Sequence, residues 1–465
     1  MKVFFFLLPL LLLLSLLLCE VVSPLRDIPQ SSCSSSKLHE NYHHQITNSS
    51  GMHFTLHHPR NPCSPASLHH LPFSDVLHHD KLRVSGLTSR LTTKHHHIHH
   101  RANNLAANNP SLVSVPLSPG SSLGVGNYIT MIGLGTPSSS YAMVVDTGSS
   151  LTWLQCSPCR VSCHEQSGPV FNPSSSATYR SIPCSATECS GLQSATLNPS
   201  ACSTSNVCIY EASYGDSSFS VGYLSKDTLT VSSSLFTSFI YGCGQDNEGL
   251  FGKSAGLIGL AKDKLSLLSQ LAPKFGNAFS YCLPTKSSTG FLSIGSYDPS
   301  HLVFTPLVKS SLDNSLYFLK LSTIKVAGKP LSVPTSSSYS DTPTIIDSGT
   351  VITRLPTDVY TALSSAVSDA LSKYPSESPY SILDTCFKGS AASVVAPEVV
   401  FVFEGGAEWK LGTKNVLIDV DGGKTCLAFA PAGRVAIIGN RQQQTFKVVY
   451  DIGSSKLGFA SGACG

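Results

Sequence analysis

Charge is scarce in this chain. Asp, Glu, Lys and Arg make up 13% of its 465 residues and nearly cancel, leaving a formal net charge of +3. With no dense Lys/Arg patch after residue 115, that balance argues against direct affinity for nucleic acid. Long apolar runs are also lacking. The single one, residues 3–18 behind Lys2, is broken by Pro9 and Ser15, is short for a membrane span and gives way to polar sequence. It reads as an export signal over residues 1–24, and nothing later supplies a spanning helix or a lipid-anchor tail. Glycosylation sequons are nearly missing, the sole N-x-S/T being Asn48-Ser49-Ser50. Histidine is missing from most of the chain: of 17, only His164 and His301 lie beyond residue 115.

What is present is apolar and cut into short pieces. A 41% hydrophobic share permits a sizeable core. Val/Ile/Leu/Phe runs separated by Gly, Pro and Ser predict mostly β organisation, with strands at 239–242, 291–295, 399–403 and 446–450. One clear helix is expected over 358–373, where Val359, Leu363, Ala366, Val367 and Leu371 recur at helical spacing. Residues 25–115 differ: they hold the histidines, including 95–97 and 99–100, and Lys and Arg outnumber Asp and Glu. They read as a basic propeptide ahead of a near-neutral body.

Two short acidic loops nearly repeat each other: Asp146-Thr147-Gly148-Ser149 and, 201 positions later, Asp347-Ser348-Gly349-Thr350. Each follows an apolar run, 143–145 or 345–346. A carboxylate straight after a buried strand is costly unless hydrogen bonds and a task hold it there. Glycine lets the backbone N–H approach the carboxylate, and Thr147, Ser149, Ser348 and Thr350 offer hydroxyls to orient it. Meeting across a pseudo-twofold axis, the two carboxyl groups would share one proton, one serving as general base and the other as general acid. Such a pair activates water against a peptide carbonyl with no metal or organic cofactor. The repeat extends outward. Residues 128–135 and 317–328 precede the two loops, and Leu257-Ile258-Gly259 and Ile437-Ile438-Gly439 follow them, which argues for a duplicated lobe.

With Trp153 after the first loop, Tyr214-Gly215-Asp216 between the loops and a cysteine-dense stretch, the chain over roughly 120–465 resembles the pepsin-type aspartic proteases, specifically their plant nepenthesin-like branch. The resemblance implies a bilobal, mostly β fold with a cleft between an N-terminal lobe, 116–305, and a C-terminal lobe, 306–465. It implies Asp146 and Asp347 as the catalytic pair, with Thr147, Gly148, Ser149, Ser348, Gly349 and Thr350 orienting them. Tyr214 would sit on a flap over the cleft and hydrogen-bond Trp153. Ser217 stands where many members have a second glycine, and Ser348 where animal pepsins carry threonine. The stretch 81–91 resembles the family's propeptide helix, which would cover the anionic cleft until acid protonates the carboxylates and charges the histidines.

Fifteen cysteines include Cys19, Cys33 and Cys63 before the body and twelve within it. An even number behind an export signal reads as disulfides rather than as a metal site at Cys156, Cys159 and Cys163. Spacing leaves the connectivity open. The resemblance implies Cys156–Cys159, Cys163–Cys243, Cys184–Cys208, Cys189–Cys202, Cys282–Cys464 and Cys386–Cys426, several of them stapling the insert 156–208.

The expectation is a monomeric secreted aspartic endopeptidase, acting on extended peptides from the extracellular space (apoplast), with vacuole or plastid as alternative destinations. Its own propeptide would be its inhibitor, removed by a cut near 110–125, where Pro116, Ser118 and Gly120 mark a linker. Two rivals are a glycosidase inhibitor on the same fold, against which the two complete acidic loops speak, and a plastid nucleoid-associated protease.

Overall fold

The computed structural model describes residues 51–67, 72–92, 127–333, 342–433 and 435–462. The export run, Asn48 and the expected cut region 110–125 lie outside the described residues. Two elements precede the main body. Strand β1 (Gly51–His57) alternates buried Met52, Phe54 and Leu56 with more exposed neighbours, and helix α1 (Phe73–Thr92) follows it. Along α1, Phe73, Val76, Leu77, Val84, Leu87 and Leu91 recur at three- and four-residue spacing and form one apolar face. The first half of that face packs on Val351, Ile352, Leu383 and Ile418, and the second on Leu316, Phe318, Ile345 and Ile437. Asp75 in its first turn and Arg90 in its last carry the charges the helix dipole favours.

The main body begins with an antiparallel hairpin of β2 (Ile129–Leu134) and β3 (Ser139–Asp146). From Tyr141 to Asp146 every residue of β3 is buried, and its continuous apolar run fits a strand covered on both faces. It pairs in parallel with Gly256–Gly259, setting Gly259 opposite Asp146. The same arrangement recurs where Thr344–Ile346 runs parallel to Ala436–Ile438. Each strand hands its chain to an acidic loop. Gly259 and Gly439 answer to close approach, since an added Cβ would stand 2.2 Å from the Ser150 carbonyl oxygen or 2.8 Å from that of Val351.

The fold is mostly β and bilobal. One large sheet runs through Val303–Pro306, Lys456–Ser461, Phe446–Asp451, Ala278–Cys282, Thr289–Gly295, β1, β2 and β3, so C-terminal strands share a ladder with N-terminal ones. Strand β1 is laid along Thr289–Gly295 over its whole length and touches β2 at His57–Ile129. The second lobe adds a five-stranded sheet around Thr344–Ile346 and two four-stranded sheets. Helix Thr357–Ala370 and strands Val399–Phe403 and Phe446–Asp451 lie where the apolar spacing predicts them.

The disulfides correct the pairing implied by the resemblance. Cys156 joins Cys243, Cys159 joins Cys163, Cys184 joins Cys202 and Cys189 joins Cys208, while Cys386–Cys426 is present. Burial and register explain the exchange. Leu154 is in register with Cys243, so Cys156 emerges beside it, 5.3 Å between Cα atoms. Buried Cys189 meets buried Cys208, leaving the more exposed Cys184 and Cys202 to each other. Cys282 is disulfide-bonded, but Cys464 lies outside the described residues.

Cys156–Cys243 closes 87 residues and Cys159–Cys163 only 4. In the chain-entropy model these loops contribute about 4 to 5 and about 2 kcal/mol. Replacing Cys156 and Cys243 together by Ala should therefore lower the melting temperature clearly more than replacing Cys159 and Cys163. Equal shifts in calorimetry would contradict this assignment.

Candidate active site

Both acidic loops project to one point, and both carboxylates are fully buried. Their supports are nearly symmetric. Asp146 accepts the Gly148 amide at 3.0 Å and the Ser149 hydroxyl at 2.5 Å; Asp347 accepts the Gly349 amide at 3.0 Å and the Thr350 hydroxyl at 2.7 Å. The loops are tied across the axis by reciprocal bonds. Thr147 Oγ1 accepts the Ser348 amide at 2.8 Å, and Ser348 Oγ accepts the Thr147 amide at 3.3 Å. From below, the Asn440 side chain donates to the Ser348 carbonyl and Gln443 to that of Asp347.

Between the carboxylates stands a guanidinium. Arg83 Nη2, from the middle of α1, donates to Asp146 Oδ1 at 2.6 Å and to Asp347 Oδ2 at 3.0 Å, and Nε donates to Asp347 Oδ2 at 3.1 Å. Burial alone would lower the Arg83 pKa, but the charges of Asp146 and Asp347 and their hydrogen bonds outweigh it and raise it. Two turns further, Arg90 reaches Asp313 at 2.6 Å and the Gly148 carbonyl at 3.1 Å.

The flap closes from the other side. Hairpin Cys208–Ser213 and Phe219–Val231 turns through Tyr214, whose hydroxyl accepts the Trp153 indole N–H at 2.8 Å. Burial pushes the Tyr214 phenol up, so it remains neutral. Ser217 has φ 68°, the left-handed conformation in which glycine is least strained. Beneath the flap α1 leaves a cavity of about 430 Å³ beside Asp146, walled by Leu87, Leu151, Ala195, Leu197 and Ala212.

Residues 128–296 match the family described as xylanase inhibitor N-terminal, and residues 316–461 its C-terminal counterpart. An aspartyl protease family protein of Arabidopsis thaliana is 44% identical over 400 residues, 84% of this chain and 82% of that one. Aspartic proteinase nepenthesin-2 of Nepenthes gracilis is 37% identical over 356 residues, 74% and 79% of the two chains. This chain belongs to the plant pepsin-like aspartic protease family. Among solved structures, edgp superposes with a TM-score of 0.61 at 22% identity, over 72% of this chain and 91% of that one, and soybean basic 7S globulin with 0.59 at 22%, over 72% and 93%. At that identity they establish the fold alone.

All eight loop residues named from the sequence of this family member converge at the site, with Tyr214 and Trp153 roofing it. Sequence reasoning sets the stretch 81–91 over the cleft but assigns no individual role to Asp80, Arg83, Gly86 or Arg90 of α1. Arg83 was one basic residue among several, although it falls one turn after Asp80 and one before Leu87. Asp80 interrupts the apolar face of α1 and carried a signal that went unread. Gly86 sits mid-helix, where glycine costs about 0.5–1 kcal/mol relative to alanine. It faces the flap turn, and a Cβ there would lie 1.8 Å from the Gly215 Cα.

Propensity and packing therefore oppose each other at Gly86. Gly86→Ala strengthens an isolated helix but pushes backbone against backbone, and packing should win. In limited proteolysis of the full chain at neutral pH, α1 of the variant should be cut at least tenfold faster than in the wild type. Slower cutting would refute the close approach.

Proposed function

We propose that this chain is an aspartic endopeptidase made as an inactive secreted precursor, activated and working in acid, in which α1 occupies the substrate cleft. The observation that carries the reading is the Arg83 guanidinium, hydrogen-bonded by Asp146 and Asp347 together where a nucleophilic water would stand. Once α1 leaves, a water bound between the carboxylates would lose its proton to the ionised one while the protonated one donates to the scissile carbonyl oxygen. Neither step needs a covalent intermediate. The amides of Gly148 and Gly349 and the hydroxyls of Ser149 and Thr350 hold the carboxylates without competing for that water. Thr147 and Ser348 keep the two loops in register. An extended peptide would lie across both lobes under Tyr214, with one side chain in the cavity bordered by Leu151, Ala195 and Ala212.

Export is supported by the apolar run 3–18 and by oxidised cysteines. Among the described residues no helix is long and apolar enough to cross a membrane. The extracellular space is the proposed destination. Because the matched family descriptions name xylanase inhibitors, a glycosidase inhibitor is the second reading. A full-length chain that binds a glycosidase tightly and cleaves nothing would favour it.

Asp146→Asn or Asp347→Asn should each lower the cleavage of unfolded protein by at least about a thousandfold while the circular dichroism stays that of the wild type. Near-normal turnover in either variant would overturn the dyad.

The pH dependence follows from His58, just after β1. Burial, then the nearby charges of Lys286, Arg441 and Arg60, lower its pKa from 6.5 to about 3. An undocked segment would therefore bind a proton that the docked one refuses. Docking should be at full strength above about pH 6.5 and weaken as pH falls towards 3. Asp313 acts later, since its pKa lies below the ordinary carboxylate value; burial opposes that lowering, but Arg90 and the Ser315 hydrogen bonds prevail. Removing the titration with His58→Gln should shift propeptide release, followed by gel mobility across pH, to lower pH. An unchanged midpoint would exclude His58 as a trigger.

A further inference from the structure

Besides Arg83, α1 sends a second charged side chain into the body of the protein. Asp80 is fully buried, and both its oxygens are engaged by the C-terminal lobe. Oδ1 accepts the Val351 amide at 2.5 Å; Oδ2 accepts the Ile352 amide at 3.2 Å and Arg354 Nη2 at 2.8 Å. Arg354 belongs to strand Thr353–Leu355, is only 3% exposed along its side chain, and donates its other Nη to the Ile352 carbonyl at 2.7 Å. Arg354 lies in register with buried Ala430 and Ile437, and the adjoining Val351 and Ile352 pack in an apolar cluster with Leu383, Ile418 and Ala430, to which α1 contributes Phe73, Val76 and Leu77.

All three donors belong to the enzyme body and only the acceptor belongs to the leaving segment. When α1 goes, a guanidinium and two amides in an apolar groove lose their carboxylate. Donors placed that way demand a replacement anion more than a surface arginine does. The replacement must come from whatever next fills the cleft. Asp80 and Arg83 lie one helical turn apart, roughly 5 Å along the axis. An extended peptide crosses that span in about one to two residues, and the second of them returns its side chain to the same face.

We infer that Arg354 with the Val351 and Ile352 amides forms a carboxylate-binding subsite in the mature protein, which selects substrates carrying an acidic side chain two or three residues from the scissile bond. Asp80 is that subsite's occupant in the precursor. The inference rests on the peptidase reading of the cleft, and its test separates the two.

The full chain is processed in acid and then profiled on a peptide library at pH 5, where most Asp and Glu side chains are ionised. Asp and Glu should be enriched at one position two or three residues from the cut. In the best peptide, exchanging that Glu for Gln leaves the protein untouched and should lower kcat/KM at least tenfold. With Arg354→Met the two peptides should be cleaved within about twofold of each other, and with Arg354→Lys part of the discrimination should survive. Cleavage with no acidic enrichment, or equal rates for the Glu and Gln peptides in the wild type, would reduce Asp80–Arg354 to a docking clamp and sink the inference while leaving the peptidase. A library left entirely uncut would overturn both.

Discussion

Two carboxylates buried within reach of one guanidinium set the terms for the rest of this molecule. Like charges at that distance, cut off from water, are tolerated only where donors converge on them. Each Asp receives one amide and one hydroxyl from its own loop, and Asp347 a further hydroxyl from Thr147 at 3.4 Å, so about three more donors would still be wanted in the open cleft. The loops come from different lobes, and their meeting therefore has to be enforced elsewhere. The large sheet that carries Phe446–Asp451 beside Ala278–Cys282 does this at long range, and the Thr147–Ser348 bonds do it at short range. Gly259 and Gly439 allow each acidic loop to fold back over its parallel neighbour.

Helix α1 is the electrostatic complement of that arrangement. Asp80, Arg83 and Arg90 each meet an opposite charge, in Arg354, the acidic pair and Asp313. Burying three ionic groups is a doubtful source of affinity, because desolvation offsets much of the attraction. The apolar face from Phe73 to Leu91 supplies the attraction, and the ionic contacts fix its register. Sliding α1 by one residue would turn it by about 100° and strand all three charges. Gly86 adds a steric condition of the same kind, since only one azimuth brings a position without a Cβ against Gly215.

The acidic loops, the flap tyrosine and most strands were legible in the sequence because each rests on local chemistry: a carboxylate beside glycine and hydroxyls, or an apolar run between turn formers. Strand β1 went unread although Met52, Phe54 and Leu56 alternate plainly. The histidine-rich stretch around it reads by composition as a basic propeptide, and its partner strand lies more than 230 residues away. Disulfide partners depended on register and depth, which spacing does not encode; Cys156 finds Cys243 only because strand Trp153–Gln155 pairs with Ser234–Glu248. Arg83 and Asp80 were visible as charges, but what they face is decided by how the helix docks.

The contacts that hold α1 and those that hold the main body differ in how they respond to protons. The helix and its flanking segment rely on carboxylate–guanidinium pairs and on a neutral His58 hemmed in by Lys286, Arg441 and Arg60. The body relies on backbone ladders, an apolar core, hydroxyl–amide bonds between its two acidic loops and disulfides. Acid acts on the first set through His58, whose protonation is refused only while the segment stays docked, and at lower pH through Asp313 beside Arg90. It has little to act on in the second set. On the proposed reading, a drop in pH would therefore separate the segment from the body before it unfolds the body. That is the order of events a cleft occupied by its own chain requires if the protein is to begin work in the medium that uncovers it.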